Sequence, residues 1–345
     1  MTARTILVTG ASGVVGSALL RVLDAQGHRV IALVHHKPVE VESARGDITR
    51  PWLGLDPRDY RDLAARVDVV VHCAASVNFG AAPKTLHGLN VAGVGKVLRF
   101  VSDARARLVH ASSAYVRHAD DETVALGAYA SSKRQGEILV RESGLPAATA
   151  RISTVIGDSV TGHIARLQAF HHILGAAMAG LIPFVPREPG MRADLVPADL
   201  VAEALAAMAT TELTDGMYWI TAGEAAVTFD RIIDIAFAVA VQRHRADDTQ
   251  PNLYVEALKP RIVTPDTYRQ VIAMVRANAN PDIGLGRLAD LDRLIGAQQS
   301  ARYFPTSLGV LPGSPPPPTE SAIEKALIAT CRYLASFPKE YWNGR

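Results

Sequence analysis

Tyr129 and Lys133 stand one helical turn apart in the run Tyr-Ala-Ser-Ser-Lys, a spacing that puts both on one face of a helix. A phenol ionises near ~10 in water and is a poor partner for proton transfer at neutral pH. An ammonium beside it favours the phenolate and draws that value towards neutrality. The pair therefore suits a proton donor facing an oxygen that gains charge. Further back, Ser112-Ser113 close the apolar run 107–111, and a hydroxyl at a strand end can hold such an oxygen where its charge develops. Lysine is rare here, with seven in the chain, so a lysine at this spacing carries weight. Taken without its surroundings, a Tyr-x-x-x-Lys is more often a surface pair.

Positioning such a pair requires a scaffold, and the N-terminus supplies its first piece. The apolar run 6–8 leads into Gly10, Gly13 and Gly16, and an amphipathic run follows over 17–23. Gly10 permits a tight turn, Gly13 a close approach of backbone to phosphate, and Gly16 the packing of a helix on its own strand. The start of that helix offers unpaired N–H groups to a pyrophosphate. Strand, glycine turn and helix in that order predict a dinucleotide site. The positive ring of an oxidised nicotinamide would further favour the Tyr129 phenolate. Further strands are expected over 29–34, 40–44, 68–75 and 107–111. The unbroken apolar run at 68–75 suits a parallel strand covered on both faces. Asn90 is expected to open a helix whose buried face is Val94, Val97, Leu98 and Val101.

Together these elements predict an α/β fold, a doubly wound parallel sheet. Ala74 and Ala75 leave room for a cofactor sugar at the carboxyl end of their strand. The second strand is followed by His35-His36-Lys37, with no carboxylate before Glu40. An acidic residue there would bind the ribose of NAD, whereas a basic one accommodates a 2′-phosphate, so NADPH is favoured over a merely solvated loop. Asp47 suits either the adenine amino group or a turn cap.

The chain has 345 residues, 48% of them apolar, enough for a sizeable core. Its net charge of +2 argues against a basic nucleic-acid surface. Cys73 and Cys331 match no metal spacing and fit a reducing cytoplasm, so no metal site is expected. The chain does not open on a secretory pattern. The apolar stretch 173–186 falls short of the ~20 residues of a membrane span.

In combination, Thr9-Gly10-x-x-Gly13-x-x-Gly16, Asp47, Ala74-Ala75, Asn90, Ser112-Ser113 and Tyr129-x-x-x-Lys133 resemble the extended short-chain dehydrogenase/reductase family over about residues 4–225. Within it, the segments 46–55, 72–79, 129–133, 151–158 and 194–201 are similar to the thioester reductase and fatty acyl reductase branch. The resemblance implies a Rossmann domain over 1–157, with 191–212 returning to it. The rest, 158–345, would be a smaller, mostly helical substrate region, including the stiff proline spacer 315–318 and a C-terminal helix. It implies Tyr129 as proton donor, Lys133 lowering its pKa and binding the nicotinamide ribose, and Asn90 positioning Lys133 through backbone and water. Ser113 would bind the carbonyl oxygen, with Ser112 competing; the spacing to Val116 favours Ser113. The cofactor would lie against Thr9, Gly10, Ser12, Gly13, Val14, Val15 and Gly16. It would continue past His35, His36, Lys37, Asp47, Ile48, Ala74, Ala75 and Ser76 to Asn90, Tyr129, Lys133 and Ser153. Two departures stand out: the segment between Ser113 and Tyr129 is short, and Ile152 replaces a proline that binds near the carboxamide in many relatives.

The expected activity is NADPH-dependent reduction of an acyl thioester, on a carrier protein or coenzyme A, to an aldehyde or alcohol. An apolar helix over 167–181 would line the acyl tunnel. His171 and His172, being adjacent, face different sides and do not form a metal pair. Further expected elements are helices over 200–208 and 229–241, a strand over 216–221 and an amphipathic helix over 321–334. The last could cap the chain's own substrate region, pair with a second copy, or meet a carrier protein. A homodimer through the helix bearing Tyr129 is a further implication of the resemblance. The rival enzyme is a dehydrogenase or epimerase of a soluble ketone, alcohol or sugar nucleotide, with Arg166, Arg187 and Arg192 available for a diphosphate. The rival of another class is a non-catalytic NADP sensor, which has no need of a tuned phenol.

Overall fold

The computed structural model describes residues 3–118, 127–246, 259–278 and 303–343. The strands β1 (Thr5–Thr9), β2 (Arg29–Val34), β3 (Glu42–Arg45), β4 (Val69–His72), β5 (Arg107–Ser113) and β6 (Ala147–Ile152) alternate with helices. Six shorter strands follow: β7 (Thr154–Ile156), β8 (Phe184–Pro186), β9 (Arg192–Ala193), β10 (Leu195–Pro197), β11 (Met217–Ile220) and β12 (Val227–Thr228), with β13 (Arg261–Val263) later. Seven of them form one parallel sheet in the order β11-β6-β5-β4-β1-β2-β3. The direction of winding reverses between β1 and β4, so the crevice between their carboxyl ends is the place where such sheets take ligands. The return to the nucleotide-binding half, expected over 191–212, therefore runs on through β11, because β11 pairs with β6 at the sheet edge.

Alternation along the strands builds two apolar layers. Ile6, Val8, Val69, Val71 and Val109 face one side with α1 (Val14–Ala25). Leu7, Val70 and Leu108 face the other with α2 (Pro57–Ala64) and α4 (Gly93–Ala104). On this second side lies α5 (Gly127–Glu142), whose Val140 joins the same layer. The α4 face is as expected: Val94, Val97, Leu98 and Val101 are buried.

Two sequence expectations are corrected. The strand expected over 68–75 ends at His72, because its partner β1 stops where Gly10 turns away at φ +70°. Asn90 does not open a helix. The helical run begins at α3 (Pro83–His87), with Pro83 in its first turn, and Asn90 sits in a wider π-type turn over Gly88–Ala92.

The C-terminal half packs α6 (Ala169–Met178), α8 (Phe229–Ala246) and α10 (Glu320–Ala335) together, while α7 (Ala198–Thr210) covers α1 and the sheet. A further helix, α9 (Pro265–Asn278), lies against β8. Helix α6 is shorter than the expected 167–181, since Gly180 takes a left-handed φ and Pro183 follows. Ile323, Leu327 and Leu334 of α10 are buried as their spacing predicts, and the Thr330 hydroxyl accepts a hydrogen bond from the Gly157 amide at 3.1 Å. The buried face of this helix packs on α6, α8 and β10 of its own chain. Much of 245–312, and the segment 119–126 between Ser113 and Tyr129, lies outside the described residues.

Candidate active site

The glycine turn has the shape a dinucleotide requires. Gly10 has φ +70°, and a Cβ on it would stand 2.6 Å from the Ala74 nitrogen. A Cβ on Gly16 would collide with the Gly10 carbonyl. Gly13 caps α1 without a side-chain bond, so the amides of the first turn around Val14 and Val15 remain available to phosphate oxygens. Ser12 is half-buried beside them. Thr9 is fully buried and serves the scaffold: its hydroxyl meets His72 Nδ1 at 2.7 Å and accepts from the Ala74 amide at 3.2 Å. The backbone thus holds the two crevice walls together and leaves a cradle that side chains would fill, which fits a bound dinucleotide.

At the adenosine end, His35, His36 and Lys37 are exposed past β2, with the two imidazoles 3.6 Å apart between ring centroids. Asp47 Oδ1 accepts from the Thr49 amide and hydroxyl at 2.8 and 2.7 Å, while Oδ2 lies 3.7 Å from His35 and 3.6 Å from Arg50. Burial by itself would raise its carboxyl, but these bonds and cations carry it below the usual carboxylate range. Asp47 is therefore a turn cap by geometry, with its second oxygen in a basic surround. Ile48 is buried against Gly93, joining this corner to α4.

Between the crevice walls, Tyr129, Lys133 and Ser113 converge. All three are almost fully buried. Burial pushes the Tyr129 phenol above its ordinary value, and a hydrogen bond with the Ser113 side chain opposes that rise. The expectation that Lys133 draws the phenol towards neutrality is not met in the protein by itself. The reason is that burial dominates and the Lys133 ammonium donates to the Ala111 carbonyl at 2.8 Å. Burial lowers Lys133 to about 8, against the raising influence of Glu137 and Cys73. Tyr129 is thus held protonated, the state a proton donor needs. Of the two serines, Ser113 meets the phenol at the carboxyl end of β5, and the Ser112 hydroxyl meets no partner among the described residues.

Asn90 is placed differently from expectation. Its Oδ1 accepts from the Ser76 amide at 2.8 Å, and its Nδ2 donates to the Ser76 carbonyl at 3.1 Å and to Ser132 Oγ at 3.0 Å. Ser132 in turn donates to the Tyr129 carbonyl at 2.7 Å. The side chain therefore pins the Ala74–Ala75–Ser76 wall to α5, while the Asn90 backbone carbonyl lies against Gly136 of the same helix. Ser153 is buried beside Asp194, whose carboxylate also accepts from the amides of Ala222 and Gly223 at 2.8 and 3.1 Å.

Several neighbours were not legible in the sequence. Phe79 packs edge-on against Tyr129 at 5.0 Å. Arg151 makes a two-pronged pair with Glu137, at 3.0 and 2.6 Å, and lies 4.9 Å from the Trp219 ring centroid. Phe304 stacks on Trp219 and joins the cluster of Tyr115 and Tyr129. Contacts from so far along the chain leave no local signal. Among the described residues no group of three His, Cys, Asp or Glu side chains is placed to hold a metal ion.

Between α6 and α8 lies an open apolar cleft. Phe170, Ile173, Leu174, Ala177 and Met178 line one side and Phe229, Ile232, Ile233, Ala236 and Phe237 the other. The arginines considered for a diphosphate are engaged elsewhere in two cases: Arg187 pairs with Asp230 at 2.9 Å, and Arg192 donates to the Ala226 carbonyl at 2.6 Å.

Comparison with known proteins places this site in context. The terminal R domain of the myxalamid PKS-NRPS pathway is similar over 97% of this chain and 90% of its own, at 23% identity and a TM-score of 0.70. The reductase domain of a nonribosomal peptide synthetase from Mycobacterium tuberculosis is similar over 97% and 92%, at 22% identity and a TM-score of 0.64. These likenesses concern the fold. In sequence, the glycine betaine reductase of Emericella nidulans is 28% identical over 59% of this chain and 20% of its own length. The carboxylic acid reductase of Mycobacterium tuberculosis is 29% identical over 60% of this chain and 23% of its own. The chain thus spans about a quarter or less of these curated relatives. The NAD dependent epimerase/dehydratase family matches residues 6–218, the region that carries the glycine turn, Ser113, Tyr129 and Lys133. The chain belongs to that family.

Proposed function

We propose that this chain is an NADPH-dependent reductase of acyl thioesters, carried by coenzyme A or a carrier protein. The observation that carries this reading is the buried Tyr129–Ser113 pair in a chain whose sequence relatives include a glycine betaine reductase, an L-2-aminoadipate reductase and a carboxylic acid reductase. The first relatives include reductases of carboxylic acids and synthetases, which supports the same class. Against a sugar nucleotide as substrate, the engagement of Arg187 and Arg192 leaves less for a diphosphate.

NADPH, when bound, supplies a hydride. The chain does the rest. The amides of the first turn of α1 would hold the pyrophosphate, and His35, His36, Lys37 and Arg50 would surround the 2′-phosphate. Ser113 and Tyr129 would hold the thioester oxygen as it gains negative charge, with the phenol donating its proton. Lys133 places a positive charge behind that phenol, and the dry surround strengthens each of these interactions. Loss of the thiol from the resulting hemithioacetal yields the aldehyde. The apolar cleft between α6 and α8 suits an alkyl chain.

The test is NADPH oxidation with a panel of acyl-coenzyme A and acyl-carrier thioesters. Turnover rising with acyl length supports the reading. Turnover of a UDP-sugar or a simple ketone, with every thioester inert, overturns it. NADPH binding without turnover of any substrate would favour a sensor.

A further inference from the structure

The register of the sheet lines up four polar side chains beneath the helices of the site. Thr9 of β1 stands opposite His72 of β4, His72 opposite His110 of β5, and His110 opposite Thr149 of β6. Register partners face the same side, here the side of α4 and α5. All four are buried, and the two imidazoles stack at 5.5 Å. Ser112, two residues beyond His110, shares that side.

This seam is polar where the sheet is otherwise apolar, and it is only partly satisfied. The Thr9 hydroxyl accepts from the Ala74 amide and meets His72 Nδ1; with the hydroxyl as donor there, His72 Nε2 carries the ring proton. His72 Nε2, both ring nitrogens of His110 and the Ser112 hydroxyl meet no hydrogen-bond partner among the described residues. Buried polar atoms rarely stay so, and a site lined by several of them is where an internal water belongs. Lys133 borders the seam. Its ammonium donates to the carbonyl of Ala111, next to His110, and has two further N–H groups to place. The charged groups facing it are Glu137 and Lys133 from α5 and Arg151 from β6, with Cys73 at the end of β4. On α4, Arg99 pairs outward with Asp103, and Lys96 turns back to the Ala92 carbonyl.

We propose that His72, His110 and Ser112 hold a buried water beneath Lys133 and act through it as positioning residues for the Lys133 ammonium. One water can accept from Lys133 and from His72 Nε2–H while donating to His110 and Ser112, which uses its full capacity. The Asn90 side chain is committed to Ser76 and Ser132. Burial keeps both imidazoles neutral, so His110 offers a ring nitrogen as acceptor rather than a second cation beside Lys133.

This inference rests on the thioester-reductase reading for its kinetic test but not for its structural one. A crystal structure of the unaltered protein that orders internal water should show one within hydrogen-bond distance of Lys133 Nζ and a His110 nitrogen; a dry seam overturns the proposal. In NADPH oxidation with an acyl-coenzyme A, His110→Phe should lower kcat by about tenfold to a hundredfold, the scale of a misplaced reacting group. KM and NADPH affinity should hold, and His110→Asn should restore most of the rate. Unchanged kcat in a folded His110→Phe protein, or no recovery in His110→Asn, overturns it. Where His110→Phe does not fold, the water position in the unaltered protein decides. Failure of every thioester would sink the substrate assignment and leave the structural test standing.

Discussion

At the scale of single residues, the site depends on a protonated phenol and a charged ammonium sharing a dry crevice. Changing Tyr129 to Phe removes the proton and little volume. Turnover should fall by about 10²–10⁴, while NADPH affinity, measured by fluorescence titration, stays within a few fold. Lys133 sets a limit in pH. Its folded value is lowered to about 8 because burial penalises the charge. The ammonium is present below that value and is lost above it. The pH profile of kcat/KM should therefore decline as pH rises through about 8, and Lys133→Met should remove that limb along with most of the activity. Tyr129, raised rather than lowered, contributes no opposing acid limb near neutrality.

At the scale of elements, the turn between β1 and α1 has no room for added side chains at Gly10 and Gly16. A methyl group on Gly16 meets the Gly10 carbonyl, backbone against backbone, and neither can move aside cheaply. Gly16→Ala should cost about 1–3 kcal/mol of stability, as overpacking does, and should weaken NADPH binding more than any substrate contact. Past β2, the basic cluster is the proposed determinant of the nicotinamide bound. Lys37→Glu should weaken NADPH by about tenfold to a hundredfold, the worth of one charge-assisted hydrogen bond, and change NADH little. Competitive titration with the two cofactors measures both. The same element scale explains Asn90: the wide turn at Gly88–Ala92 aims its side chain across the crevice, so it ties two walls together.

At the scale of the whole molecule, α10 returns from the far end of the chain to pack on α6, α8 and β10. Ile323, Ala326 and Leu327 are fully buried there, and Arg231 of α8 pairs with Glu324 at 2.6 and 2.8 Å. Leu327→Ala should cost about 2–5 kcal/mol, read as an earlier midpoint in urea unfolding. The exposed Arg231–Glu324 pair should contribute under ~1 kcal/mol, being largely screened by water. Among the described residues, no helix is long and apolar enough to cross a membrane.

What could be read from the chain in order was local: β2 over 29–34, the helix bearing Tyr129 and Lys133, and the glycine turn. Each is written in consecutive residues, through period, spacing or the need for a missing Cβ. The buried face of α10 was legible for the same reason, although its partner was not. Tertiary structure decided everything that depends on two distant segments meeting. It brought Ser113 rather than Ser112 to the phenol, since that contact depends on where the end of β5 meets α5. It gave the side chains of Thr9 and Asn90 bracing bonds across the crevice, since hydroxyl and amide groups bond whatever the fold brings near. It raised the phenol instead of lowering it, because burial is a property of the packed molecule and outweighs a neighbour four residues away. It also set His72 beside His110, a pairing that only the register of parallel strands could make.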